Sequence, residues 1–423
     1  MSEQPLILVL TSELPYPPHQ GMAIRAYNLF AGLQGRYRLH LLSLSSSPDA
    51  PAHAESLREI FERVEVLPAP VRTRWKRLGS LFSSLLPDMA LRAYSPAFER
   101  AVLDVLANNP YNVVHIESIE MAPYAMAAKR TRKRVGAHGR PAASPPRFVL
   151  DDLNAEFLLQ KRVFETDLRR PSRWVGAVYS FIQWRRLARY EKQVCCTVDR
   201  VIAVSEWDRG ALTGLYGGAD IHVVPNGIDA QHYLAYAPAG GEPSSAGGPN
   251  LVFTGKMDFR PNVDAMLWFC EEILPRIRAK IPDVRLTIVG QQPSPAVRAL
   301  GGLLGVSVTG FVPDVRPYVA AGDVYVVPMR MGGGTRLKVL EAMVMGKAVV
   351  STALGCEGYG LTPGREAIVA DDPAAFAEGV VALLGDAERR AALGANARDF
   401  AASRYDWSRI VPMLERAYDF STP

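Results

Sequence analysis

Long apolar runs are missing from this chain of 423 residues. None approaches the roughly 20 residues that span a bilayer, and no basic stretch precedes the strand-like run at residues 6–10. Neither a span nor a leader is expected, and the reading is of a cytoplasmic protein. Cysteine is scarce. Cys195, Cys196, Cys270 and Cys356 lack the paired spacing of a zinc site and are too few to staple so long a chain, which leaves free thiols. The Gly-Lys-Ser/Thr order of a P-loop is absent, as is any repeat of solenoid period. An Asp-x-Asp after a strand is also missing, and Asp151-Asp152 is the nearest approach to it. Adjacent strand residues point to opposite faces, so that pair would not act together. No nucleic-acid-binding module accompanies the net charge of +5, so nucleic acid is not an expected partner.

What is present is an ordinary soluble composition, 48% hydrophobic and 22% charged, in a length that suits two large domains. Short β-rich apolar runs recur at residues 7–10, 39–44, 64–67, 113–116, 148–150 and 201–204. They resume at 221–224, 251–253, 285–289, 306–308, 324–327, 348–351 and 367–370. Helical patterns separate them. Continuous apolar strands alternating with helices imply parallel sheets covered on both faces, hence an α/β doubly wound fold in each half. Residues 236–250, rich in Gly, Pro and Ser, read as a linker with the domain junction near it. The basic, proline-containing segment 129–147 reads as an exposed mobile loop, either a plain solvated insertion or a contact for an anionic surface.

The most informative stretch runs from Val326 to Met343. A strand enters Gly332-Gly333-Gly334, Thr335 is placed as the N-cap, and a helix should follow to about Met345 before Gly346 ends it. Glycines admit a phosphate close to the backbone, and the helix N-terminus favours negative charge there. Arg336 and Lys338 add cations. Lys338 and Glu341, at i and i+3, should face one ligand region, the first suited to a phosphate and the second to a pair of sugar hydroxyls.

The segment Leu340-Glu341-Ala342-Met343 through Thr352 resembles the signature of family 4 retaining glycosyltransferases, the group 1 set. Four more segments match in order: Pro15 to Gly21 with the helix after it, Val224-Pro225-Asn226-Gly227-Ile228-Asp229, Leu251 to Met257, and Gly310-Phe311-Val312-Pro313-Asp314. The resemblance covers nearly the whole chain. It implies the GT-B architecture, with two Rossmann-like doubly wound domains facing across a cleft. The expected division is an acceptor domain at 1–220, a donor domain at 221–404 and a C-terminal helix at 405–423 returning to the first domain.

The same resemblance places donor-binding groups at Gly21, Gly255, Phe311, Val312, Gly333, Gly334, Thr335 and Glu341, and catalytic groups at Lys256, Arg336, Lys338 and Glu117. Glu341 matches the ribose-binding second glutamate of the family's pattern. The first glutamate falls at Gly333 and is absent, so the donor hexose would rely on backbone N–H groups. Lys256 stands at the position of the family's phosphate-binding arginine, and the matching lysine position falls near Asn262, leaving Arg260, Arg336 and Lys338 as substitutes. Glu117 takes the slot of a sugar-facing histidine, and His115, expected on the opposite face, reads as a packed strand residue. One residue of the segment 151–156 is expected to touch substrate.

The expected activity is hexosyl transfer from a nucleoside diphosphate sugar to an acceptor hydroxyl with retention, by a front-face displacement in polysaccharide or glycolipid assembly. It needs neither cofactor nor metal. Catalysis should be mostly positioning and stabilisation of the leaving diphosphate. The acceptor is expected to be lipid-linked, a saccharide or a small molecule. Two basic segments joined to apolar helical faces, Arg72 to Leu86 and Arg169 to Arg186, suit an anionic membrane surface and a peripheral place at its inner face, with core packing and snorkelling arginines as the plainer reading. Alternatives are a catalytically degenerate sugar-nucleotide-binding partner protein and a nucleotide-sugar 2-epimerase-like GT-B enzyme.

Overall fold

The computed structural model describes residues 4–19, 21–135, 145–168, 174–217, 220–236 and 248–419. The chain forms two compact units, Met1–Pro225 with Ile410–Pro423, and Asn226–Arg409. Every apolar run read from the sequence forms a strand.

The first unit carries β1 (Leu6–Thr11), β2 (Arg38–Ser45), β3 (Arg63–Pro68), β4 (Val113–Glu117), β5 (Arg147–Asp152), β6 (Arg200–Ala203) and β7 (Ile221–Val223) in the order β3-β2-β1-β4-β5-β6-β7. Each of its six neighbouring pairs is parallel. Parallel neighbours demand crossovers, and helices supply them. All six residues of β1 are buried, which is why its sequence shows no polar alternation.

The second unit repeats the plan with β8 (Asn250–Thr254), β9 (Arg285–Val289), β10 (Val306–Val308), β11 (Val324–Val327), β12 (Ala348–Ser351) and β13 (Ile368–Val369), ordered β10-β9-β8-β11-β12-β13. Its core gathers Phe253, Phe269, Ile288, Val326, Leu340 and Phe376.

The unit boundary departs from the expected one. Residues 221–223 pair with β6 and so close the first sheet, and the division comes after Pro225. The return comes at Ile410, inside the helix Trp407–Tyr418. That helix buries Ile410, Leu414 and Tyr418, and Val411 packs so tightly on Gly32 that an added Cβ there would meet it at 2.4 Å. The segment expected as a loop at 129–147 is regular at its two ends: the helix Ala122–Val135 runs through its start, where Lys129 pairs with Asp199 at 2.8 Å, and β5 begins at Arg147. Residues 136–144, the body of the presumed linker at 237–247, and Arg169, Arg170 and Arg173 lie outside the described residues.

Candidate functional site

In a doubly wound sheet the loops after two neighbouring strands part in opposite directions at one point, and the crevice between them receives ligands. In the second sheet this point lies between β8 and β11, and the glycine turns at Gly255 and at Gly332–Gly334 open there. Gly255 has a φ of 156°, and a Cβ added to it would come within 2.7 Å of both Asn262 Nδ2 and Lys338 Nζ. Only glycine lets this backbone pass so close to the lysine. Asn262 Nδ2 donates to the Lys256 carbonyl (2.9 Å), and Lys338 Nζ donates to Asn262 Oδ1 (2.9 Å). The ammonium also sits 4.0 Å from the centroid of the Phe253 ring. Burial, and then Arg336, lower the Lys338 pKa to about 7, while Glu341 opposes them.

The helix Leu337–Val344 starts one residue later than expected in its cap. Arg336, not Thr335, occupies the N-cap, and no side chain among the described residues caps the helix. Thr335 instead accepts a hydrogen bond from Asn226 Nδ2 at 2.7 Å, tying the turn to the segment that opens this unit. The buried Arg336 donates to the Gly334 carbonyl at 3.1 Å and so braces the turn. Glu341 Oε1 accepts from Tyr233 at 3.1 Å, and burial raises its pKa. Lys338 and Glu341 thus engage different partners, although helical spacing makes them neighbours. Lys256 is exposed, 3.7 Å from Asp258, and Arg260 begins the helix Arg260–Trp268. Phe311 is 72% exposed in the loop after β10, whereas Val312 rests against the core.

The first sheet has its own point of divergence between β1 and β4. Glu117, the last residue of β4, is 2% exposed, and its Oε1 has no hydrogen-bond partner among the described residues. Burial, then the Asp151 charge, push its pKa well above the usual carboxylate range. The next residue, Ser118, holds a φ of 74°, and its buried Oγ is also without a partner among the described residues. Unpartnered polar atoms at a strained strand end are atoms that a ligand or a water can satisfy. Glu117 and the exposed Gly21, first residue of the helix Gly21–Ala31, line one cavity of about 400 Å³.

His115 and Glu117 are two apart on one strand and share a face, contrary to the expectation. His115 is nonetheless packed: its Nδ1 bonds Tyr418 at 2.8 Å, its ring meets Phe30 edge-on, and burial lowers its pKa to about 4. Asp151 and Asp152 do part company. Both oxygens of Asp151 accept from Arg25 (2.9 and 3.0 Å), whose Nη1 also donates to the Pro225 carbonyl. Asp152 lies among Glu191, Glu156 and Asp208, and burial and these carboxyls raise its pKa well above normal.

Sequence reasoning missed Tyr233, Asn226 and the bridging role of Asn262. Each meets its partner across 76 to 109 positions, a pairing that no local spacing encodes.

The basic helical segments are split in role. In the helix Arg74–Ser83, Trp75 and Phe82 are 81% and 93% exposed, and Leu85 beyond it 86%. Arg72 and Arg77 turn to Asp88 at 3.0 and 3.1 Å. Arg186, from the helix Trp174–Cys195, is spent on the Ser80 and Leu81 carbonyls at the C-terminal end of the first helix. Trp174, Val175 and Val178 are exposed on that second helix.

The sequence matches the family described as "Glycosyltransferase Family 4" over residues 19–232 and "Glycosyl transferases group 1" over residues 248–386. A phosphatidyl-myo-inositol mannosyltransferase of Mycobacterium tuberculosis is 32% identical over 235 residues, 52% of this chain and 58% of that protein, so the match spans little more than half its length. A GDP-mannose-dependent α-(1-6)-phosphatidylinositol monomannoside mannosyltransferase of Mycolicibacterium smegmatis is 24% identical over 78% of this chain and 90% of its own. Among solved structures, the sucrose-phosphate synthase of Thermosynechococcus elongatus superposes with a TM-score of 0.67 over 98% of both chains at 17% identity, a likeness of fold. Two parallel Rossmann-like sheets in the GT-B manner, with family matches over both halves, establish that this chain belongs to the family 4, group 1 glycosyltransferases.

Proposed function

We propose that the protein transfers a hexose from a nucleoside diphosphate sugar to an acceptor hydroxyl with retention of configuration, and that it does so without a metal. The observation that carries this reading is Lys338, a cation held by Asn262 and Phe253 beside the Gly255 turn at the divergence point of the second sheet. The helix N-terminus beside it favours the same diphosphate. Negative charge builds on the leaving diphosphate in the transition state, and a preorganised ammonium there lowers the barrier more than it tightens ground-state binding. Arg336 fixes the turn, Lys256 supplies a second, exposed charge, and Gly333, Gly334 and Thr335 present the backbone to the sugar. Glu341 takes a ribose hydroxyl, and the exposed Phe311 offers its ring to the base. Arg25 holds both oxygens of Asp151, and its positive charge disfavours a metal cation beside that carboxylate.

The mannosyltransferase relatives make GDP-mannose the first donor to test and a lipid-linked polyol the first acceptor. Trp75, Phe82 and Leu85 give the first unit an apolar face that enters the headgroup region of an anionic bilayer, which suits such an acceptor. No helix among the described residues is long and apolar enough to cross a membrane. The test is thermal shift with GDP- and UDP-sugars followed by release of the nucleotide in the presence of a chelator. A donor near 100 times its Kd stabilises by about 2.7 kcal/mol. Donor binding without turnover on any acceptor, or activity lost in chelator and restored by magnesium, overturns the proposal.

A further inference from the structure

The strand β5 ends in two carboxyls with unlike surroundings. Asp151 is held by Arg25, but Asp152 has no exposed surface, and neither of its oxygens meets a donor among the described residues. It points into a group of acids drawn from three helices. Glu156 opens the helix Glu156–Leu168, Glu191 belongs to the helix Trp174–Cys195, and Asp208 lies in the first turn of the helix Glu206–Tyr216. Cys195 and Tyr216 complete the surroundings, and burial raises the pKa of each, so both are neutral. Arg92, from the helix Asp88–Arg92, lies near Glu156 and is joined to Glu120. Among the described residues no three acids are placed to hold a metal ion.

Two of these acids bind one turn of backbone. Asp208 Oδ1 accepts the Ala155 N–H at 3.1 Å, and Glu191 accepts those of Glu156 and Phe157 at 3.1 and 2.9 Å, one on each oxygen. These N–H groups lie at the head of the helix Glu156–Leu168, where the helix itself supplies no acceptor. A carboxylate that takes two such bonds is favoured in its charged form. Asp152, within hydrogen-bonding reach of Glu191, can join it only as an acid, because two carboxylates have no proton between them. Burial raises the pKa of both members, and the N–H bonds with the Asp152 hydroxyl then lower that of Glu191, so the proton resides on Asp152.

The helix begun by this turn has little else to fix it. Of its 13 residues only Asp167 is buried, and its ring Phe164 stacks on Trp184 of the helix Trp174–Cys195 at 6.0 Å, so the two helices form a hairpin. An element packed so shallowly opens more readily than the sheet beneath it.

We propose that Asp152 carries a proton at neutral pH and shares it with Glu191, and that this proton latches the head of the helix Glu156–Leu168. Toward alkaline pH the proton passes to water, two negative charges face each other where water screens them poorly, and the turn at residues 153–157 loosens with the hairpin. The latch requires neither donor nor acceptor, so it stands or falls apart from the transfer reading.

The test is hydrogen exchange on the full chain, read by mass spectrometry on peptides covering residues 153–160 and corrected for the intrinsic effect of pH. Because the closed state holds a proton that the open state releases, protection should fall about tenfold per pH unit above neutrality. Asp152→Asn, whose amide can donate to Glu191 without titrating, should keep the fold and flatten that slope. Glu191→Gln loses one acceptor oxygen and should lower protection by a factor of about three to ten at every pH. Infrared spectra of the parent at neutral pH should show the carbonyl stretch of a buried neutral carboxyl, weakened in Asp152→Asn. Protection in the parent that does not change with pH overturns the latch, and that outcome is readable even if the variants fail to fold. A slope unchanged in Asp152→Asn overturns it as well, as does a slope abolished by added calcium or magnesium, which would put a cation where the proton is proposed.

Discussion

The two sheets repeat one strand order, and each opens its loops where its first and fourth strands diverge, yet the chemistry at the two openings has opposite sign. In the first unit the opening holds Glu13 and Glu117. In the second it holds Lys256, Arg336 and Lys338 around two glycine turns. Topology chooses the place, and a few turn and strand-end residues choose the ligand. The comparison also separates two ways of readying a charged group. Glu117 Oε1 is left without a partner among the described residues, whereas Lys338 is held in place by Asn262 and by an aromatic face while keeping further N–H donors.

Removing the charge that distinguishes the second opening should have the largest effect. Lys338→Met keeps the length of the chain and loses the ammonium, and it should lower turnover by about 10²–10³-fold while donor affinity falls much less, because the charge it meets grows in the transition state. Single-turnover kinetics with circular dichroism as a control on folding checks this. A drop of only a few-fold would leave the opening without its main cation. Next in size is Glu341→Ala, expected to weaken donor binding by about 10- to 100-fold, the range of a hydrogen bond to a charged group. Calorimetry with the nucleoside diphosphate is the measurement. Because Tyr233 already donates to Oε1, Glu341→Gln should keep that contact through its own oxygen and still lose affinity, which isolates the ribose hydroxyl as the missing partner.

How much of this was legible in the sequence follows the range over which each feature is encoded. The strands were readable throughout because each is a short local run of buried β-formers, and their alternation with helices fixed the class of fold. Gly255, Gly332 and Gly334 were readable because positive φ, and at Gly255 close approach, demand glycine. The cap was not: Thr335 is a good N-cap by type, but Asn226, 109 positions away, takes its hydroxyl, and tertiary bonding outweighs the local preference. The boundary was placed too early for a related reason, since residues 221–223 read equally well as the last strand of one sheet or the first of another. Composition also concealed the division of labour among the arginines, because whether Arg72, Arg77 and Arg186 face water or bind Asp88 and a helix end depends on neighbours beyond their own helical turns.

A smaller effect should appear on the outer face of the first unit. Replacing Trp75 and Phe82 together by alanine removes two exposed rings whose burial in lipid would contribute about 1.5–3 kcal/mol each at full depth. At partial depth the expected loss is about tenfold in binding to vesicles of mixed phosphatidylglycerol and phosphatidylcholine, measured by sedimentation. Turnover on a water-soluble acceptor should not change. Equal binding of the double variant and the parent would remove this face from the membrane.

The smallest expected effect tests how the cation of the second opening is held. Asn262 Oδ1 accepts a hydrogen bond from the Lys338 ammonium and so favours its charged form, against the burial that lowers its pKa to about 7. A bound diphosphate favours the charged form further, so donor binding should take up a proton at Lys338, and donor affinity should fall as pH rises through about 7 and beyond. The stability of the ligand-free protein runs the other way. Between about 7 and the ordinary lysine value near 10.5 the unfolded chain holds the proton and the folded one does not, so this group adds stability as pH increases. Asn262→Ala removes the acceptor, and it should lower turnover by a factor of about three to ten, the worth of one net hydrogen bond. It should also move the fall in donor affinity to lower pH, and Lys338→Met should abolish that limb of the profile. Calorimetry in buffers of different ionisation enthalpy counts the proton directly. If no proton is taken up near pH 7.5, or if the affinity profile of Asn262→Ala overlays that of the parent, then Asn262 supports the glycine turn through the Lys256 carbonyl alone and does not position the cation.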